Sequence, residues 1–546
     1  MAEEYDIVVV GAGVNGIAAA AYLQKAGARV AVVERLGEAG PFCMTVETLE
    51  PGTPINTHVV QGLTSASPCI EDLDLERFGL NMVFTSTQYG STFKDGKNIM
   101  IHHDTAKTAA SIARHSEKDA QRYLDITNKI FPEAIDLYKL LIYSPATPDN
   151  LERIWESCAR YVDMTAQDIV TMNGFEFLDL LFESEKVKQT FMGMAHIGFA
   201  GDPLGKGEGV LSALGVMYLP QGHFRGGSHN LVHALVRCFA HHGGTMIYNA
   251  PVERIVVENG QAKGVIISED SPHPEKEIRA KNALLVNLSA PYTLELIGED
   301  KVKAADPLLA RKMKQWLMSG SCPYMSIWLL KGAPTWKSEA WDPEVRDCWE
   351  PYRAWDSWDD AKKHFAYFQH EDLWNVVGGA GEVFLAGAGD KSQISSEGHQ
   401  VLIYEEELPP HLRREGGMQA WDGEIRWKIH EKHVELIEEL APGFKELILA
   451  REVHTPLDNW RKNPSAIFGQ QLGGDCKGDQ SYLGRLPYRM PIAGLYQIGS
   501  TWPTGVTHLA TGYNCACIVA EDLGIREQSW WNHDPLVWYL KKMGLA

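Results

Sequence analysis

The 546-residue chain has no run of apolar residues long enough to cross a bilayer, so no transmembrane segment is expected. It also lacks a basic leader with a small-residue cleavage site. Residues 5–10 read directly as a strand, and a cytoplasmic rather than a secreted protein is expected. Positive charge is scarce: 51 Lys and Arg against 71 Asp and Glu give a net charge of -20, the wrong sign for a nucleic-acid partner. The nine cysteines, at 43, 69, 158, 238, 322, 348, 476, 515 and 517, contain no Cys-x-x-Cys pair, which suits free thiols in a reducing compartment better than a disulfide framework. No internal repeat or low-complexity segment is present. What remains is a large chain, 45% hydrophobic, able to bury one extensive core or two abutting ones.

The most specific signal lies at the N-terminus. Asp6-Ile7-Val8-Val9-Val10 is a continuous β-branched run, as expected of a strand buried on both faces, and it leads straight into Gly11-Ala12-Gly13-Val14-Asn15-Gly16. Residues 17–25 are Ala/Leu-rich and predict a helix, and Val30–Val33 predicts a second strand that ends in Glu34. Gly11 allows a tight turn, Gly13 lets the backbone approach a pyrophosphate, and Gly16 lets helix and strand pack closely. The helix N-terminus offers unpaired N–H groups to the anion. Glu34 stands where a ribose hydroxyl needs an acceptor. In a chain with 50 glycines the triplet alone would be weak, but strand, helix, second strand and acid all fall at the offsets of a dinucleotide site.

Nicotinamide and flavin enzymes share that unit, so the rest of the chain has to distinguish them. Arg35 and Gly40 belong to a loop that would bring backbone against the cofactor again. At the far end, Gly494-Leu495-Tyr496-Gln497-Ile498-Gly499-Ser500, then Gly505-Val506 and Gly512-Tyr513-Asn514, read as a short strand, a Gly-broken loop and a helix start. With these blocks in place the chain resembles the flavin-dependent amine oxidase and phytoene desaturase superfamily, most closely its phytoene dehydrogenase-like branch, over nearly its whole length. Pro220-Gln221-Gly222-His223-Phe224-Arg225-Gly226-Gly227-Ser228 is similar to the family's Pro-x-Gly-Gly entry to its second cofactor-domain helix. Pro251-Val252-Glu253 and residues 260–265 are similar to the strand pair at which adenosine meets backbone. Residues 283–287, 439–444 and 455–458 complete the series. The resemblance implies FAD, with Gly11, Gly13, Gly16, Glu34, Arg35, Gly40, Val252, Gly499, Ser500, Gly505 and Val506 as its binding residues. Two places depart from the family pattern. Gly40 is followed by Pro41-Phe42 instead of the usual glycine-rich continuation, and the glycine run near the flavin is reduced to Thr504-Gly505-Val506 between Trp502 and His508.

The implied fold is α/β: a Rossmann-type FAD-binding domain, discontinuous in sequence at 1–75, 220–300 and 470–525. An α+β substrate domain at 76–219 and 301–469 would combine a mixed sheet with a helical lid, leaving 526–546 as a C-terminal tail. In the first insert, residues 116–131 are amphipathic, with Asp119 placed to help cap the helix, and helical patterns recur at 163–169 and 176–182. In the second, residues 324–330 predict a strand and residues 425–440 a charged helix.

That second insert carries eleven of the sixteen tryptophans, flat apolar walls that suit an aromatic or conjugated substrate, although most of them are expected to serve packing. His229 and His233 have the one-turn spacing of a zinc helix, and His430 and His433 a three-residue spacing on a helix expected to be solvated; neither pair shows a third ligand in sequence, and no metal is expected. His508 and Trp502 in the flavin-facing block, and His196 in a Gly-rich connection, are the candidate catalytic residues. The resemblance implies a dehydrogenase or desaturase that takes a hydride from an apolar, aromatic or conjugated small molecule, with oxygen or a quinone as the electron acceptor and a homo-oligomer as one possible assembly. A redox-neutral double-bond isomerase is the alternative. Escort and dissociation-inhibitor proteins share the fold as pure binding proteins, but they lose the dinucleotide signature that is intact here.

Overall fold

The computed structural model describes residues 3–198, 202–320, 322–503 and 508–545, with the side chains of 196–198 excepted. The β-branched N-terminal run becomes the strand Glu3–Val10, with Ile7, Val8 and Val9 at 0% exposure. It is the centre of a seven-stranded mixed sheet. In spatial order the sheet runs Val252–Glu258, Gln261–Ile267, Glu277–Val286, Glu3–Val10, Val30–Val33 and Thr245–Ile247, with Leu495–Gln497 pairing beside Glu277–Val286. Pairings around the centre are parallel, Val8 lying opposite Leu284 on one side and Ala31 on the other, while the pair at Gln261–Ile267 is antiparallel. Its strands therefore come from three separate stretches of chain.

Helix Val14–Lys25 covers one face of this sheet and is sandwiched by the helices His229–His241 and Ala510–Asp522. Small side chains permit that crowding. Ala18 to Ala21 are all fully buried, and a Cβ on Gly512 would sit 2.1 Å from the Asn15 carbonyl oxygen. The opposite face packs against helices Ala290–Ile297 and Pro307–Lys314 through Leu294, Ile297 and Leu309.

A second, four-stranded antiparallel sheet has the order Glu382–Leu385, Gln400–Glu407, Pro323–Leu330 and Ile448–His454. The expected strand at 324–330 and helix at 425–440 are both present, as Pro323–Leu330 and Ile425–Leu440. One sheet face, with Met325, Ile327, Phe384 and Ile403, turns toward Ile55, Val60 and Trp349. The other, with Trp328, Leu402 and Tyr404, lies on the helix through Val434 and Ile437. A run of helices from Thr105–Ala113 to Glu208–Gly215 builds the first insert. Of the eleven tryptophans, Trp328, Trp349 and Trp421 are among the largest fully buried side chains, whereas Trp374 and Trp427 are exposed, so packing accounts for most of the concentration.

Two expectations are corrected. Ser116, not Asp119, caps helix Glu117–Ile130 by accepting the Asp119 N–H; the Asp119 carboxylate instead accepts the N–H groups of Glu183 and Ser184 at 2.9 and 2.8 Å. His430 and His433 are not solvated but fully buried. Both Nδ1 atoms hydrogen-bond Ser326 Oγ at 3.0 Å, and His433 Nε2 meets Glu406 Oε2 at 2.9 Å. Glu406 Oε1 accepts the N–H groups of Gly378 and Gly379 at 2.8 and 3.1 Å, so this carboxylate is fully partnered. Helix Ile425–Leu440 hides its charge pattern because its histidine stripe, not its apolar residues alone, faces the sheet. Glu406→Ala should lower the unfolding free energy by about 3–5 kcal/mol, since the partners are left buried without their acceptor. Denaturant unfolding with a shift below about 1 kcal/mol would contradict this role.

Candidate functional site

Where strand Glu3–Val10 ends, Gly11 takes φ +92°, a conformation that favours glycine, and turns the chain into helix Val14–Lys25. Gly16 allows helix and turn to touch: a Cβ there would sit 2.3 Å from the Gly11 carbonyl oxygen. Gly13 occupies the N-cap without a side-chain cap, and no acid lies in the first turn, so the helix presents bare N–H groups to the space in front of it. That space is an open groove lined by residues from the N-terminal, middle and C-terminal stretches of the chain.

Gly11, Gly13, Glu34, Arg35, Gly40, Val252, Gly499 and Ser500 all line the groove. Glu34 is buried at the end of strand Val30–Val33, where its carboxylate accepts the Ala12 N–H at 2.7 Å and the Leu36 N–H at 2.8 Å. Burial raises its pKa, and these backbone donors offset part of that. At the opposite end Gly499 passes so near Leu288 that a Cβ would lie 2.1 Å from its carbonyl oxygen, and Ser500 Oγ accepts the Ala290 N–H at 2.9 Å. Gly16 supports the groove from behind. Gly505 and Val506 lie outside the described residues, as does the side chain of His196, whose backbone belongs to helix Glu185–Gly198.

Thr501 and Pro503 line the groove, but Trp502 turns its indole the other way, donating Nε1–H to the Leu141 carbonyl at 2.8 Å and packing on Tyr482 at 4.9 Å between ring centres. His508 is buried behind the same block. Desolvation pushes its pKa down to about 4, so it is a neutral imidazole, and its carbonyl accepts the Tyr143 hydroxyl at 3.0 Å.

Several groups at this site carry no sequence signal. Lys462 lines the groove, donates to Thr57 Oγ1 at 2.6 Å, and is pushed down to about 8 by burial. His58 stacks on Phe42 at 4.3 Å between ring centres; its ring nitrogens have no partner among the described residues, and burial first, then the nearby Lys462 charge, lowers its pKa to about 3. Folding also brings Glu38 Oε1 to 3.5 Å from both His229 Nε2 and His233 Nε2, although His229 Nε2 is already engaged with the Ala39 carbonyl at 3.2 Å. Beyond the groove, four buried glutamates gather under the second sheet: Glu350, Glu382, Glu405 and Glu407, none more than 4% exposed. Gln471 joins the two regions, because it lines the groove and donates to Glu407 Oε1 at 3.1 Å.

The glycine contacts yield a direct test that needs no ligand. Gly16→Ala should cost about 1–3 kcal/mol through overpacking, read as a lowered thermal midpoint of the cofactor-free protein. An unchanged midpoint would contradict the close approach of helix and turn.

Comparison with known proteins agrees with this geometry. Residues 9–73 match a family described as NAD(P)-binding Rossmann-like domain. A limonene dehydrogenase subunit from Castellaniella defragrans is 26% identical, covering 100% of this chain and 99% of that protein. Prolycopene isomerase from Daucus carota is 24% identical over 96% of this chain and 82% of its own. Among solved structures, cyclohexylamine oxidase from Brevibacterium oxydans superposes with a TM-score of 0.57 at 15% identity, covering 95% of this chain and 99% of that one. With relatives along its whole length and this fold around the groove, the chain fits the flavin amine oxidase and phytoene desaturase superfamily, whose members similar to this chain include dehydrogenases, desaturases and isomerases.

Proposed function

We propose that the groove holds FAD and that the protein is an FAD-dependent dehydrogenase or desaturase acting on a small, largely apolar molecule. The observation that carries this reading is the continuity of the groove. One groove is lined by Glu34 and Val252, by Gly11 and Gly13 at the bare N-terminus of helix Val14–Lys25, by Gly499–Thr501, and by Gln471, which bonds Glu407 of the second sheet. A Rossmann site for a nicotinamide alone would not need its far wall built from a segment nearly 500 residues away.

Glu34 would accept from the adenosine ribose, with Arg35 and Val252 beside the adenine end. Gly11 and Gly13 would admit the diphosphate to the helix N-terminus, where Lys462 adds a positive charge that the anion would stabilise. Gly499 and Ser500 would support the ring end, and from the family pattern Gly505 and Val506 join them. FAD, when bound, supplies a ring that accepts hydride. The remaining work falls to the chain: holding the donor carbon at that ring, excluding water and taking up a proton. Trp502 and His508 would shape the wall behind the ring end, His508 as a neutral hydrogen-bonding group, while His196 is retained on its sequence position alone.

The names of the relatives favour an unsaturated hydrocarbon-like donor, and oxygen or a quinone would accept the electrons in turn. We assign the cofactor domain to 1–75, 220–300 and 470–525, the substrate domain to 76–219 and 301–469, and the tail to 526–546, in a cytoplasmic protein. Redox-neutral isomerisation stays the second reading, since one relative is named an isomerase.

Purified protein should be yellow, and denaturation should release FAD; colourless protein with saturable NAD binding would overturn the assignment. Under anaerobic conditions limonene should bleach the flavin if the dehydrogenase reading holds, whereas conversion of a cis-polyene without net bleaching would favour the isomerase. Glu34→Ala removes a charge-assisted acceptor worth about 1.5–3 kcal/mol and should weaken FAD binding about ten- to hundredfold. Unchanged affinity by equilibrium titration would remove Glu34 from the ribose site.

A further inference from the structure

The buried glutamates under the second sheet are too many for structural use. Strand register sets Glu382 opposite Glu405, and Glu407 follows on the same face, so three carboxyls end a sheet face otherwise made of Met325, Ile327, Phe384 and Ile403. Glu350 approaches from the chain leading into strand Pro351–Arg353. One side-chain amide ties the ends together: Gln61 Nε2 lies 2.7 Å from Glu382 Oε1 and 3.2 Å from Glu350 Oε1. Gln221 Nε2 donates to Glu350 Oε2 at 2.8 Å.

The surroundings of the cluster are buried and polar. Gln221 Oε1, His223 Nδ1 and Trp349 Nε1 are buried without a partner among the described residues. They adjoin Glu350: Gln221 bonds it, Trp349 precedes it in the chain, and the His223 ring stacks on Trp349 at 4.2 Å. A donor, an acceptor and an imidazole nitrogen left open around one carboxyl are an unusual burden for a core, because each unmet group costs about 1–3 kcal/mol. The cluster also abuts the groove at two points, through Gln471 on Glu407 and through Gln61, two residues beyond the groove-lining Val59.

We propose that Glu350 and Glu382 form a buried carboxyl pair sharing one proton behind the groove wall, linked to it through Gln61 and through Glu407 and Gln471, and that this pair is the final acceptor of the proton a C–H donor loses. The proposal rests on the FAD reading and adds to it the proton's destination. In a dehydrogenation the substrate gives up two hydrogens and forms one double bond. One leaves with its electron pair as hydride to the bound flavin, and the other leaves as a proton to the ionised member of the pair, while its C–H electrons become the new π bond. The pair returns the proton to water after product leaves.

Electrostatics agree with the geometry. Two carboxylates bridged by one amide resist double ionisation, and burial pushes Glu350 up to about 7 and Glu382 well above the usual carboxylate range. Glu405 is also raised by burial and by the Glu407 charge. Of the other ionisable groups near the pair, Tyr89, Cys348 and Tyr352 are raised by burial and His223 is pushed well down by it, so all four are uncharged near neutrality. Among the described residues no lysine or arginine forms an ion pair with Glu350, Glu382 or Glu405.

Infrared titration of the holoenzyme in water and heavy water reads the shared proton directly. A protonated-carboxyl band should be present at neutral pH and disappear as pH rises, and the visible flavin spectrum should shift with the same inflection. Glu382→Gln and Glu350→Gln, isosteric and still able to hydrogen-bond, should each retain flavin yet lose the inflection shared with the flavin spectrum and the part of the band that titrates with it, leaving the Glu405 carboxyl contribution in place. If no such band exists at neutral pH, or if it titrates while the flavin spectrum stays unchanged, the pair is absent or structural and the proposal fails. A colourless protein that still shows the band would sink the FAD reading instead, and the two failures are told apart by released chromophore. Should either variant merely fold poorly, the milder Glu382→Asp decides the matter, since it keeps the band and displaces its inflection only if Glu382 is a member of the pair.

Discussion

The structure is organised around a bare helix N-terminus that opens onto the groove. Helix Val14–Lys25 starts at Gly13 with no side-chain cap and no acid in its first turn. Its first N–H groups face the groove, where they would favour an anion. Everything near the groove preserves that opening. Gly11 turns the chain away with a positive φ, Gly16 brings the helix down on the turn, and Gly499 carries the C-terminal block in beneath Leu288.

The same principle separates two sets of buried acids on the second sheet. Alternation along strand Gln400–Glu407 sends Glu406 to one face and Glu405 and Glu407 to the other. Glu406 finds two backbone N–H groups and His433, so it acts as a structural fastener. Its neighbours meet glutamines and one another on the face toward the groove. One residue's difference in register thus divides a stabilising carboxylate from Glu405, a carboxyl that burial pushes toward protonation.

Much of the groove's lining was legible in the sequence because the strand, turn and helix that open it are local. Strand, glycine turn, helix and Glu34 span fewer than 35 residues, and each position is constrained by backbone geometry rather than by a distant partner. The C-terminal block could be read for the related reason that Gly499 and Gly512 are required by close backbone contacts. The glutamate cluster was not legible. Glu405, Glu406 and Glu407 form a run that resembles a solvated strand end, and Glu350 and Glu382 look like isolated surface acids until antiparallel pairing buries them together. His430 and His433 mislead in the same way, since a charged helix reads as solvated unless the sheet that accepts its histidines is known. Trp502 shows a subtler limit: its place beside the groove was readable, but not that its indole turns toward Leu141.

The central claim is that a flavin fills the groove with its reactive ring between the Gly499–Pro503 segment and the glutamate cluster. A crystal structure of the FAD complex measures this most directly. The account predicts the diphosphate at the N-terminus of helix Val14–Lys25, the ribose at Glu34, and the ring edge opening toward Gln471 and the Glu350–Glu382 pair. A ring directed away from the second sheet, or a groove occupied only by a nicotinamide dinucleotide, would contradict it.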